Sequence, residues 1–119
     1  MSRIRIGAAT IGVACAAGTG TAAAAARAPE LQAYVGDPAK IVLTEAGKPV
    51  RTLPAGTYAI VVRDTSSDHN FHLYGPGVDE RTSVSGKGTF TWKVRLEQGT
   101  YTFRCDPHLL FMRGTFRVV

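Results

Sequence analysis

From Phe90 to Leu96 apolar and polar side chains alternate, with Phe90, Trp92, Val94 and Leu96 set against Thr91, Lys93 and Arg95. A period of two marks a strand with one buried face. The end of the chain repeats the pattern, Met112, Gly114, Phe116 and Val118 opposing Arg113, Thr115 and Arg117. Between these segments Tyr101, Phe103 and Cys105 alternate with Thr102 and Arg104. Tyr58 to Val62 is almost continuously apolar, which suits a central strand. His69–Tyr74, Leu31–Val35 and Lys40–Thr44 read as further strands. Gly36-Asp37-Pro38, Pro54-Ala55-Gly56, Gly75-Pro76-Gly77 and Ser85-Gly86 supply the turns. No amphipathic helix of useful length is present. Seven to eight short strands in fewer than about 100 residues predict an all-β fold, an antiparallel Greek-key β-sandwich or barrel.

One internal echo fits this reading. Leu53-Pro-Ala-Gly-Thr-Tyr58 and Leu96-Glu-Gln-Gly-Thr-Tyr101 share the form L-x-x-G-T-Y. Each places a glycine turn before a strand that opens on tyrosine, a common steric solution to a corner rather than a repeat architecture.

The composition changes abruptly before residue 27. Met1–Ala26 has an arginine-bearing start (Arg3, Arg5), a weakly apolar run from Ile4 to about Ala17, and a tract of small residues. That order predicts a secretory signal peptide, 1–26, cut near Ala24–Ala26. The apolar run is shorter than the ~20 residues that a membrane-spanning helix needs. No Arg-Arg pair is present, which points to the general export route. Cys15 lies in this leader, and the Gly12-Val13-Ala14 before it makes a poor lipidation site. The expected mature part, 27–119, is one domain of about 93 residues, and removal of Arg3 and Arg5 takes the formal charge from +5 to +3. Its Lys and Arg are scattered, which argues against a nucleic-acid surface. Only one of the two cysteines, Cys105, remains after cleavage. An exported monomer therefore has no disulfide to make, and Cys105 is an inert buried thiol, an intermolecular link or a metal ligand.

Strand alternation points Cys105 inward with Tyr101 and Phe103, and Met112 opens the next inward set. The loop between them carries His108. A second imidazole is available from Asp68-His69-Asn70-Phe71-His72-Leu73. Alternation places His69 with Phe71 and Leu73 toward the core and His72 outward, so His69 is the expected donor and His72 a surface or supporting residue. A thiolate, two imidazoles and a weak thioether are the donor set of a blue-copper electron-transfer site. A loop holding three of the four donors would let little move when an electron arrives. Leu109, Leu110 and Phe111 flank His108; they either form an exposed docking rim or pack beneath the loop. Asp106-Pro107 reads as turn chemistry, Pro107 stiffening the loop.

Two motifs, Gly-Thr-Tyr-Thr-Phe-Arg-Cys105-Asp-Pro-His108 with Cys105-x2-His108-x3-Met112, and His69-Asn70, make the chain resemble the cupredoxins, the plastocyanin- and azurin-like small blue copper proteins. The resemblance covers nearly the whole mature part. It implies one copper ion held by His69, Cys105, His108 and Met112, with Asn70 bracing the cysteine loop by hydrogen bonds. Three residues separate His108 from Met112 where plastocyanins usually have four, which bears on the copper–methionine distance and the potential that it sets.

Other chemistries lack their residues. A binuclear copper centre needs two cysteines in the loop, a multicopper oxidase needs His-x-His pairs, and neither occurs. Gly75-Pro76-Gly77 is a rigid turn rather than a phosphate loop. The expectation is a non-enzymatic, exported, monomeric electron carrier. It would meet transient redox protein partners such as a cytochrome, an oxidase or a reductase, and the mature domain would not insert in a membrane. The rival reading is a copper carrier or sequestering protein using the same ligands. A carrier would often show surface Met or His clusters, and the mature part has one Met and three His.

Overall fold

A computed structural model describes residues 27–119. The expected leader and Cys15 lie outside the described residues. The strands are β1 (Glu30–Gly36), β2 (Lys40–Glu45), β3 (Lys48–Pro49), β4 (Thr52–Leu53), β5 (Gly56–Asp64), β6 (His72–Gly75), β7 (Val78–Arg81), β8 (Gly88–Leu96), β9 (Gly99–Arg104) and β10 (Arg113–Val118). They form two five-stranded sheets, ordered β3-β2-β1-β5-β8 and β4-β10-β9-β6-β7. The chain crosses between the sheets after β3, β4, β5, β7 and β8, as a Greek-key sandwich requires. The only helical piece among the described residues is one 3₁₀ turn, Asp106–His108.

The strand count exceeds the expected seven to eight because β3, β4 and β7 are too short to show a period. Two neighbouring pairs, β1 with β5 and β10 with β4, run parallel within an otherwise antiparallel frame. The segment expected as a strand from His69 enters the sheet only at His72. Phe90, placed inward by alternation, is exposed, and Trp92 is half-buried. Strand β8 lies at a sheet edge and is buried only toward its C-terminal end, at Val94 and Leu96.

The core lies between the sheets. Leu31, Val35, Ile60, Val62 and Leu96 face Leu73, Tyr101, Phe103, Phe116 and Val118, all buried. Burying an aliphatic or aromatic side chain of this size contributes about 1.5–3 kcal/mol. The two L-x-x-G-T-Y segments prove to be corners closed by their tyrosines. The Tyr58 hydroxyl donates to Pro54 O at 2.6 Å. The Tyr101 hydroxyl donates to Pro76 O at 2.6 Å and accepts from Glu97 N at 2.9 Å. Gly99 takes φ +144°, and a Cβ there would lie 2.8 Å from Pro76 Cγ, so the second corner requires glycine.

Rings stiffen the end of the sandwich nearest the Cys105 loop. Phe71 stacks on Phe103 at 5.6 Å between centroids and lies 6.3 Å from Trp92. Gly114 pairs with Phe103 in the β9–β10 register, and a Cβ at Gly114 would run into the Phe103 ring. We expect Gly114→Ala to lower the unfolding free energy by about 1–3 kcal/mol, the cost of overpacking a filled core. Denaturant titration of the metal-free protein measures it; an unchanged midpoint would mean that the stacked ring yields freely.

Candidate metal centre

Three buried or half-buried side chains meet at one end of the sandwich: His69, Cys105 and His108. Cys105 follows β9 directly, so the inward phase of Tyr101 and Phe103 carries its sulfur into the core, where it is wholly buried. The chain then turns through Asp106–His108. Pro107 lies within the first residues of that 3₁₀ turn, where its missing N–H is no loss. Backbone bonds close the loop: His108 N to Cys105 O at 3.1 Å, Met112 N to His108 O at 2.9 Å, and Cys105 N to Met112 O at 2.9 Å. Met112 is completely buried and is tied by its backbone to both Cys105 and His108.

His69 arrives from the crossover between β5 and β6. Asp64, at the end of β5, is buried and accepts from the Thr82 hydroxyl at 2.7 Å and from Ser66 N at 3.3 Å. Thr82 in turn accepts from Phe71 N at 2.9 Å, which pins the crossover two residues past His69. Burial pushes the Asp64 carboxyl above its ordinary value, and its hydrogen bonds from Thr82 and Ser66 only partly offset this.

The His69 Nε2 lies 3.2 Å from Pro38 O and 3.1 Å from Asp37 Oδ1. Both are acceptors, so Nε2 carries the proton and Nδ1 presents a bare lone pair. That lone pair faces the site. His69 Nδ1 is 3.1 Å from His108 Nδ1 and 3.6 Å from Cys105 Sγ, and His108 Nδ1 is 3.5 Å from the same sulfur. The corners of this triangle are all about 2.0 Å from one common point, close to the 2.0–2.3 Å of nitrogen and sulfur ligands around a transition-metal ion. One soft sulfur and two imidazole nitrogens at that spacing suit copper in either oxidation state. The residues therefore fit the metal.

Asn70 locks the two contributing segments together. Its side-chain oxygen accepts from Asp106 N at 2.8 Å, and its amide nitrogen donates to Asp106 Oδ2 at 2.9 Å and to Thr82 O at 3.2 Å. Its backbone N–H points at Cys105 Sγ, 3.4 Å away. His72 faces the outer side of the sheet, as alternation implies, yet it is buried there beneath Asp79 and Asp106. Leu109, Leu110 and Phe111 are 41%, 87% and 65% exposed, so they form a rim rather than packing beneath the loop. The Phe111 ring lies 5.4 Å from that of His108.

Two groups escape a reading of the sequence. Asp37, read from the sequence as a turn residue, orients His69 across 32 positions of chain. Asp106, also read as turn chemistry, is the acceptor for Asn70, His72 and Arg104 together. No local pattern signals either role, since His69, Asn70 and His72 lie about 30 residues or more away along the chain.

The comparisons with known proteins agree with this geometry. Residues 50–119 match the family described as copper binding proteins, plastocyanin/azurin family. Reduced rusticyanin at 1.9 Å has 19% sequence identity and a TM-score of 0.57, covering 76% of this chain and 78% of its own. The structure of the copper protein rusticyanin at 2.1 Å has 16% identity and a TM-score of 0.57, with 76% of each chain covered. Rusticyanin from Thiobacillus ferrooxidans at 1.27 Å has 19% identity and a TM-score of 0.55, again over 76% of each chain. At such identities these likenesses speak to the fold alone. No curated protein sequence matches the chain. The fold is that of a cupredoxin, and the chain belongs to the plastocyanin/azurin family of copper-binding proteins.

Asp106 makes the centre sensitive to acid. Burial opposes its ionisation, but hydrogen bonds from His72, Asn70 and Arg104 outweigh that and bring its pKa from 3.8 to about 2. A carboxylate depressed in the folded state adds stability above its unfolded pKa and loses it as pH falls through the folded one. We expect metal-free protein to lose about 2 kcal/mol of stability through Asp106 between roughly pH 4 and pH 2. Asp106→Asn should be weaker at neutral pH and lack this share of the acid dependence. Denaturant titrations of both proteins across that window measure the difference; parallel curves would show that Asp106 contributes nothing.

Proposed function

We propose that the protein is an exported mononuclear blue, or type 1, copper protein that carries single electrons between larger redox partners. The observation that carries this reading is the triangle of His69 Nδ1, His108 Nδ1 and Cys105 Sγ, with sides of 3.1, 3.5 and 3.6 Å. Copper held there supplies the one-electron couple, Cu(I)/Cu(II). The Cys105 thiolate and the His69 and His108 imidazoles would be its strong donors, and the Met112 thioether would be a weak donor that favours Cu(I).

The chain's own work is to keep these donors still. The proton on His69 Nε2 stays with Asp37 and Pro38 O, leaving Nδ1 free as a ligand. Asn70 and Asp106 hold the cysteine loop against the His69 segment. The buried sulfur is shielded from oxidants and water. Such a prearranged, mostly buried donor set favours fast electron exchange over release of the metal, which supports a carrier of electrons rather than of copper.

Around His108, Leu109, Leu110 and Phe111 offer a small apolar contact through which a partner can reach the ring. Brief redox encounters use interfaces of this kind. Export rests on the leader expected in 1–26. No helix among the described residues is long and apolar enough to cross a membrane.

Loaded with Cu(II), the protein is expected to turn intensely blue through charge transfer from the cysteine sulfur, and Cys105→Ser to bleach it. A colourless Cu(II) form would end the type 1 reading and leave a copper carrier. Leu110→Asp should keep the colour but slow stopped-flow electron exchange with a cytochrome by about tenfold, since a rim charge acts on encounter. An unchanged rate would move the docking site elsewhere.

A further inference from the structure

His72 takes no part in the donor triangle, yet it is only 6% exposed and neither ring nitrogen is idle. Its Nδ1 lies 2.9 Å from Asp106 Oδ1, and its Nε2 lies 2.6 Å from Asp79 Oδ1. Carboxylates only accept hydrogen bonds, so the ring donates from both sides and carries a positive charge. The Tyr74 ring lies beside it at 5.1 Å. Arg104 Nε donates to the same Asp106 oxygen at 2.9 Å, and its Nη1 donates to the Tyr74 hydroxyl at 3.3 Å. Arg81 reaches both carboxylates at 3.9 Å. Two carboxylates thus face three cationic groups.

This cluster ends at the sulfur. Asp106 uses Oδ1 for His72 and Arg104, and Oδ2 for Asn70. Asn70 aims its backbone N–H at Cys105 Sγ. His72 opens β6, whose register with β7 and β9 is fixed by pairing with Arg81 and Arg104, so it gives Asp106 a rigid support.

We propose that His72 is a positioning residue for the metal centre. It orients Asp106, and through Asp106 and Asn70 it holds the Cys105 thiolate in place and adds positive charge beside it. The positional half rests on hydrogen bonds alone. The electrostatic half rests on the electron-transfer reading: an adjacent positive charge favours the reduced centre, which carries one positive charge fewer.

His72→Gln tests both halves. In metal-free protein, modification of Cys105 by a thiol reagent should speed up about tenfold or more, because losing a charge-assisted hydrogen bond loosens the cover over the sulfur. In copper-loaded protein the reduction potential should fall and the charge-transfer band should shift. A folded variant with wild-type thiol reactivity, band and potential overturns the proposal, whereas a merely structural role would lower the unfolding midpoint and leave band and potential unmoved. If His72→Gln does not fold, Asp79→Asn replaces it. Asp79 is 64% exposed and meets the His72 ring on the side away from Asp106, with Arg81 as its other partner, so the same shifts in smaller measure support the proposal and unchanged values overturn it. Failure of the wild-type protein to turn blue would end the type 1 reading, and with it the electrostatic half, while leaving the thiol measurement to decide the positional claim.

Discussion

The reciprocal hydrogen bonding between Asn70 and Asp106 is the constraint on which the centre depends. The donors come from two segments 36 residues apart, and no disulfide links them, since Cys105 is a free thiol. The Asn70 amide both accepts from the Asp106 backbone and donates to the Asp106 carboxylate, a two-point contact that sets orientation as well as distance. Buried polar groups satisfied in this way specify one arrangement, because any other leaves a donor or acceptor unpaired. The same contact places the Asn70 backbone N–H against the sulfur.

Around it the molecule is rigid for separable reasons. The sandwich carries the cysteine loop on two adjacent antiparallel strands, β9 and β10, whose register puts both loop ends on the inward face. Apolar stacking of Phe71 on Phe103 supports the floor of the site. The His69 segment is fixed separately, by Asp64 through Thr82 on one side and by Asp37 on the ring itself. Three carboxylates, at positions 37, 64 and 106, each orient a different part of the donor set. Charge near the site thus works mainly as geometry.

Period-two alternation is enough to read the fold class, because a long strand with one wet face and one dry face shows it; β8, β9 and β10 are legible in this way, and β5 is legible as a continuous apolar run. It failed where geometry departs from that rule. Strands β3 and β4 have two residues each and show no period. Phe90 follows the inward phase but lies where the edge strand is uncovered. His72 follows the outward phase but is buried under side chains from β7 and the cysteine loop.

The sequence by itself determined the donor types, their spacing in the loop, and the inward phase that gathers Cys105 with its neighbours, since these follow from residue identity and strand period. Only the tertiary structure decided which imidazole nitrogen faces the site, that Asp106 is a hub rather than a turn residue, and that His72 is buried against it. Those outcomes depend on hydrogen bonds between segments about 30 residues or more apart, or across paired strands, and such contacts exist only once the two sheets have closed on each other.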